Sequence, residues 1–308
     1  MLPLWAWIPI TIAAALAQTA RNTAQRSLTA QAGTMGATLV RFLYGLPFAA
    51  LWLLIVYAWP GSTATVPARF DTTYFSWILM GAVSQIAATA FLLAAMKERN
   101  FVVAVTYSKT EVLQVAVFSS VFLNELPGPV VLAAIFIATV GVVLVSIPRG
   151  KPGEDGGRVE WGGRVLAFGL ASGACFALSV VGYRGGALWL GSAVPPLVAG
   201  AWSVVWAQAM QTLLLGGWIA LRTPDVIRKV FAAWRISLWA GSMGAMASIG
   251  WATAFAMTTA SQVRTLGMVE VLFSYLVSRR LLREKLAVKQ QIGLILVAVG
   301  LVLVCTQL

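Results

Sequence analysis

The chain has 308 residues, of which 59% are hydrophobic and only 10% are charged. A water-soluble globule of that composition lacks the polar groups to cover its surface, so the chain is expected to live in a bilayer. Its formal net charge of +12 is spread over links between apolar runs, which argues against nucleic acid as its partner and for membrane orientation.

Histidine is absent, and the two cysteines, Cys175 and Cys305, both fall inside predicted helices. That argues against a disulfide framework, a common zinc site and any Ser-His or Cys-His catalytic system, so neither an enzyme nor a cofactor is expected. No Walker-type phosphate loop is present to drive ATP hydrolysis.

Apolar runs long enough to cross a bilayer predict ten spans, at about 4–25, 34–59, 73–96, 102–123, 128–147, 162–184, 194–221, 231–257, 262–281 and 288–306. The first run lacks a basic leader and a clear cleavage site, so it is read as a spanning helix. Thr11, Gln18, Asn22 and Gln25 fall on one of its faces. The second span holds Arg41 and Pro47. The third has Ser84, Gln85 and Thr89 in a polar stripe, and the fourth has Tyr107, Lys109, Glu111 and Gln114. Then comes an almost wholly apolar fifth span with Ala134 and Gly141. Residues 148–161, rich in Gly, Pro and charge, read as a flexible connector between two sets of five helices. In the second set, Ser172, Ser179 and Tyr183 share a face of the sixth span, and Ser248, Trp251 and Thr253 lie in the eighth. Glu270 sits in the ninth, and Gly293 and Gly300 mark the tenth.

The two sets repeat. Residues 106–146 align without a gap on 265–305, which matches Thr106 with Thr265, Glu111 with Glu270, Glu125 with Glu284 and Gly141 with Gly300. Ala-Thr-Ala-Phe at 88–91 recurs at 252–255. Five spans per half means that the second half enters the membrane from the opposite side. The expected fold is therefore an all-α polytopic membrane protein: ten transmembrane helices in two five-helix inverted-topology repeats, 1–147 and 162–308. Alternate links hold 17 Lys/Arg against three in the others, Arg69, Arg184 and Arg264, with Arg41 and Lys109 inside spans. The positive-inside rule then places both termini outside a cell's inner (plasma) membrane.

Glu111-Val-Leu followed by Phe-Leu-Asn-Glu125-Leu-Pro and Thr-Val-Gly141, then Glu270-Val-Leu followed by Leu-Leu-Arg-Glu284-Lys-Leu and Ala-Val-Gly300, resembles the drug/metabolite transporter superfamily in its ten-helix EamA branch. Arg41 with Pro47 fits the same habit. The resemblance covers nearly the whole chain. It implies a metabolite exporter with a central cavity, of which amino-acid exporters, the YddG-type aromatic ones among them, are one kind. Val112 and Val271 replace the proline that often follows the intramembrane glutamate in that family. Its members usually keep both termini in the cytoplasm, whereas the charge count here points the other way.

An unpaired charge at mid-membrane costs at least about 2.5 kcal/mol on insertion scales, so Glu111 and Glu270 should face protein or water. They can bind a proton or a substrate amine, or fix helix packing. Lys109 cannot share a helix face with Glu111, so its partner should sit on another helix, Glu270 being one candidate. The expected cavity is lined by Gln18, Asn22, Gln85, Tyr107, Lys109, Glu111, Ser179, Trp251 and Glu270. For any single Ser or Thr, a hydrogen bond between helices is the simpler reading. Trp251 can stack a substrate side chain or face lipid, and Arg41 is expected to snorkel toward the interface. Ala134, Gly141, Gly293 and Gly300 are read as a packing face with no substrate role. The expected partners are a small molecule and the lipid bilayer, with the chain acting as a monomer.

Overall fold

The computed structural model describes residues 2–59, 65–98, 107–145, 163–273 and 288–307, and every regular element among them is helical. After a short 3-10 turn, Leu4–Ala6, the helices are α1 (Trp7–Leu43), α2 (Gly45–Ala58), α3 (Thr72–Glu98), α4 (Glu111–Leu123), α5 (Pro129–Val145), α6 (Arg164–Leu190), α7 (Pro196–Arg222), α8 (Pro224–Ala232), α9 (Trp234–Met257), α10 (Ala260–Leu266) and α11 (Val288–Cys305). A further helical segment covers 269–273. The connector 148–161, Glu284 and the basic cluster at 279–285 lie outside the described residues. Among the described residues, five helical stretches are long and apolar enough to cross a membrane: Ser27–Ala58, Thr72–Leu92, Leu166–Leu190, Pro196–Arg222 and Val288–Cys305. Glu111–Leu123 and Pro129–Val145 are shorter apolar helices. This is compatible with membrane insertion.

The first two predicted spans are not separated by a loop. Residues 26–32 contain no breaker and continue α1, which bends at Gly33 (φ 70°, ψ 178°). Only glycine holds that φ without strain. Gln25 Nε2 donates to the Ala37 carbonyl across the bend at 2.8 Å. The helix steps again at Tyr44, where Pro47 cannot donate back to the Leu43 carbonyl. The short α8 was not expected from the sequence. Thr223-Pro224-Asp225 starts it, with Pro at the first position and an acid in the first turn. Val226 and Val230 lie against Gly36 of α1, while Arg228 is exposed. That is the build of an interfacial helix.

Three helix pairings dominate the packing: α3 lies along α6, α1 along α9 and α5 along α11, and α2 also packs on α7. A main apolar core draws on α1, α4, α5, α6, α9, α10 and α11, with Val115, Ala134, Val263 and Val297 fully buried. It fills the end of the bundle that carries Leu126–Gly128, Thr259 and the C-terminal Thr306–Gln307, which line a shallow cleft of about 350 Å³. The expected packing face is present. A Cβ on Gly141 would sit 2.6 Å from the Gly293 carbonyl oxygen, and one on Gly300 would sit 2.9 Å from that of Ala134.

This close approach is testable. Gly141→Ala is expected to destabilise the detergent-solubilised protein by about 1–3 kcal/mol, as overpacking does. Gly217→Ala, at a glycine with open space around it, is expected to leave the thermal midpoint unchanged.

Candidate central binding site

Both glutamates of the repeat stand at a break in their helix. Before Glu111 the backbone forms a turn at 109–110, with Thr110 N–H on the Tyr107 carbonyl at 3.2 Å. Before Glu270 the turn is at 267–268, with Met268 N–H on the Thr265 carbonyl at 3.1 Å and Glu270 N–H on the Gly267 carbonyl at 3.1 Å. In the repeat alignment the two breaks coincide to within one residue. Each carboxylate is thus presented from the end of a half-helix rather than from a continuous wall.

Each glutamate is paired with a cation from the other half of the chain. Lys109 Nζ lies 3.5 Å from Glu270 Oε2, and Arg264 Nη2 lies 2.5 Å from Glu111 Oε1. Glu270 also accepts from Gln18 Nε2 at 2.7 Å and from Asn22 Nδ2 at 3.1 Å. The Asn22 amide oxygen in turn accepts from Arg21 Nη2 at 2.7 Å. Gln18 and Asn22 are four apart on α1, which is why one helix face supplies both donors. Trp251 Nε1 donates to Gln18 Oε1 at 3.2 Å, and the Arg264 guanidinium sits 5.0 Å over the Trp251 ring. Trp251 is therefore interior rather than lipid-facing. It is only 7% exposed and packs on Gly267, so in this conformation its ring is not open to a substrate.

The remaining expected site residues lie elsewhere. Gln85 belongs to a second network, accepting from Gln211 Nε2 at 2.8 Å and from the Tyr183 hydroxyl at 3.3 Å. Ser179 is buried one turn from Tyr183 on the same helix, away from Glu270. Tyr107 packs its Cβ against Gly169 of α6. Most serines and threonines bond within their own helix, as Thr19 does to the Ala15 carbonyl and Thr89 to that of Gln85. Ser172, which donates to the Ala88 carbonyl at 2.9 Å, is the kind of interhelical bond that was expected.

Several cations correct the sequence reading. Arg184 and Arg264, counted as link residues, lie inside helices, where Arg184 is buried and Arg264 half-buried, and Arg21 is buried as well, at 5% exposure. Removing them from the count leaves Arg69 as the lone cation of the sparse links. Arg41 does not snorkel outward. Its stem crosses Gly244 of α9 beside the Arg21 stem, within electrostatic reach of Tyr183 and Arg264. Arg21 and Arg264 are thus members of the central cluster that the sequence alone did not single out, and Gln211 is a member of the second network. The available signal was their spacing: Arg21 is three residues from Gln18, and Arg264 six from Glu270, in otherwise apolar surroundings.

The end of the bundle filled by the apolar core is also closed by charge. Asn124, in the left-handed conformation (φ 56°), ends α4 and aims Glu125 inward. Arg184 Nε and Nη2 donate to Glu125 Oε1 at 2.8 and 2.6 Å, and Arg184 Nη1 donates to the Phe255 carbonyl at 2.6 Å. Three helices are tied at that point. Toward the centre, by contrast, Asn22 is exposed and the Lys109 side chain is 25% exposed, so the Glu270 cluster is not sealed from its surroundings.

No family model matches the chain, and no curated protein matches it. Among solved structures, one described only as "Crystal structure of protein" superposes with a TM-score of 0.69 at 17% identity, covering 97% of this chain and 96% of that one. At that identity the likeness is one of fold.

The buried tie predicts strong non-additivity. Removing one partner of such a pair costs about 3–5 kcal/mol, because the other is left uncompensated. Arg184→Met and Glu125→Gln alone are expected to lower the thermal midpoint sharply, and the double variant to regain much of the loss. Additive effects in the cycle would show that the two charges do not interact.

Proposed function

We propose that this chain is a secondary transporter that exports small metabolites by alternating access, built as ten membrane spans in two inverted five-helix halves. The observation that carries the reading is the pair of broken helices. At matching places in the repeat each interrupts its span next to a glutamate, and both glutamates meet in one polar cluster between the halves. Broken helices facing each other at the centre of an inverted repeat are how carriers build a site without exposing backbone to lipid.

The packing supports the same reading. Exchanging the two halves turns the α3–α6 pairing into α9–α1, and it maps α5–α11 and α2–α7 each onto itself. A bundle closed at one end by an apolar core and the Arg184–Glu125 tie, with an unsealed polar centre, has the form of one state of an alternating-access cycle. A channel would need a path through that end. Amino acids are the substrate class that the family resemblance implies. The proposed placement is a multi-pass protein of the inner (plasma) membrane with both termini outside.

Counterflow in proteoliposomes tests the role of the carboxylates. If either glutamate carries a coupling proton, Glu111→Gln or Glu270→Gln abolishes proton-driven accumulation and leaves substrate exchange in place. Wild-type affinity, exchange and pH response in both variants would make the carboxylates structural. Ion conductance without saturable exchange would favour a channel. For orientation, Arg69→Cys is expected to react with an impermeant thiol reagent from outside the cell and Arg228→Cys to stay protected. The reverse pattern would invert the topology.

A further inference from the structure

Within the centre the charges do not balance. Arg21, Arg41, Lys109 and Arg264 face two carboxylates, Glu111 and Glu270, among the described residues. Both carboxylates are already engaged, Glu111 by Arg264 and Glu270 by Lys109, Gln18 and Asn22. Glu270, within electrostatic reach of Arg21, is held by Lys109, and among the described residues neither Arg21 nor Arg41 forms an ion pair with a carboxylate.

Those two converge. Arg21 Cδ and Arg41 Cγ lie 3.2 and 3.5 Å from where a Cβ on Gly244 would sit, so the absence of a side chain at 244 lets both stems cross at one spot. Arg21 is 5% exposed, and its Nη1 has no hydrogen-bond partner. Arg41 Nε is likewise buried with no hydrogen bond. Like charges held side by side in a poorly solvated interior are unfavourable unless an anion joins them. Guanidinium N–H groups are the donors best shaped for carboxylate or phosphate oxygens. Asn22, which accepts from Arg21, is exposed, so the spot can be reached from the unsealed centre.

We infer that the central site takes a small molecule of net negative charge, whose carboxylate or phosphate oxygens dock between Arg21 and Arg41. The inference rests on the transporter reading and moves its substrate from the zwitterionic amino acids that the family resemblance implies to net anions. A zwitterion supplies the oxyanion but also brings an ammonium, for which no carboxylate is free. A net anion offsets the surplus and asks nothing of Glu111 or Glu270.

The test is a charge series with one side chain: phenylpyruvate, phenylalanine and phenethylamine. Binding is measured by calorimetry on the purified protein and flux in proteoliposomes, with inorganic phosphate as competitor. The expected result is that phenylpyruvate binds at least tenfold more tightly than the other two. Arg21→Gln and Arg41→Gln should each lose that preference, and Arg41→Lys should retain part of it. Displacement by phosphate at comparable concentration assigns the subsite to phosphate oxyanions, and failure to displace assigns it to carboxylates; either supports the inference. Equal or tighter binding of phenylalanine or phenethylamine, or a phenylpyruvate preference that survives both glutamine variants, overturns it. Because the series is read first on the wild-type chain, a variant that fails to fold does not decide the matter. Arginine-dependent binding without saturable flux would overturn the transporter reading and leave the anion site standing. Saturable flux of phenylalanine alone would do the opposite. Neither binding nor flux of any probe would overturn both.

Discussion

The structure depends on two crossed ion pairs, Lys109 with Glu270 and Arg264 with Glu111. A carboxylate far from water is tolerated only with a close counter-charge and hydrogen bonds for its remaining lone pairs. Neither glutamate takes its cation from its own half. The halves are therefore joined at the centre by charge as well as by apolar contact. The two breaks, at 109–110 and 267–268, make that geometry available. A continuous helix would hold Lys109 and Glu111 on different faces of a rigid rod. Lys109 accordingly reaches away from Glu111, across to Glu270.

Around that centre the molecule is asymmetric, and the asymmetry is chemical. On the side of the termini, Val115, Ala134, Val263 and Val297 are fully buried, and Arg184 binds both Glu125 and the Phe255 carbonyl. Toward the centre, polar side chains are left unsealed at Asn22 and Lys109. Opening the closed end requires Arg184 to give up three short hydrogen bonds. Charge-assisted bonds of that kind are about twice as strong as neutral ones, so the closed end resists casual opening. Gly141 and Gly293, by contrast, let α5 and α11 lock backbone to backbone. That pair is suited to staying rigid while the others move.

Much of this was legible in the chain. The repeat placed Glu111 and Glu270 as equivalents, and the face rule sent Lys109 to another helix, where it meets Glu270. The stripe on α1 yielded Gln18 and Asn22, and the small residues of α5 and α11 yielded their packing face. What was not legible depended on where helices end. Arg184 and Arg264 read as link residues because hydropathy alone does not say whether an arginine near a span end turns inward to a carboxylate. Gln85, Ser179 and Tyr107 share the polarity of the central cluster, yet Gln85 on α3 bonds to Gln211 and Tyr183, Ser179 is buried on α6, and Tyr107 packs on Gly169. Periodicity identifies an inward face, and only the crossing of helices decides which inward faces meet. Gly33 was hidden for a similar reason. A lone glycine in a helical run does not announce whether it kinks the helix or ends it.

The chemistry of the central charges limits what can change during the proposed transport cycle. Guanidinium groups stay protonated under all ordinary conditions, so Arg21, Arg41 and Arg264 supply permanent positive charge. A carboxylate is different, because it can be neutralised by one proton. Protonating Glu270 would remove the charge that holds Lys109 and leave Gln18 and Asn22 as donors to a weaker acceptor. Protonating Glu111 would free Arg264, whose other contact is the Trp251 ring. Either event loosens a tie between the two halves at the level where the helices are already broken. Among the charged residues of this cluster, the arginines are therefore suited to holding a ligand, and the glutamates to sensing whether the halves are free to move past each other.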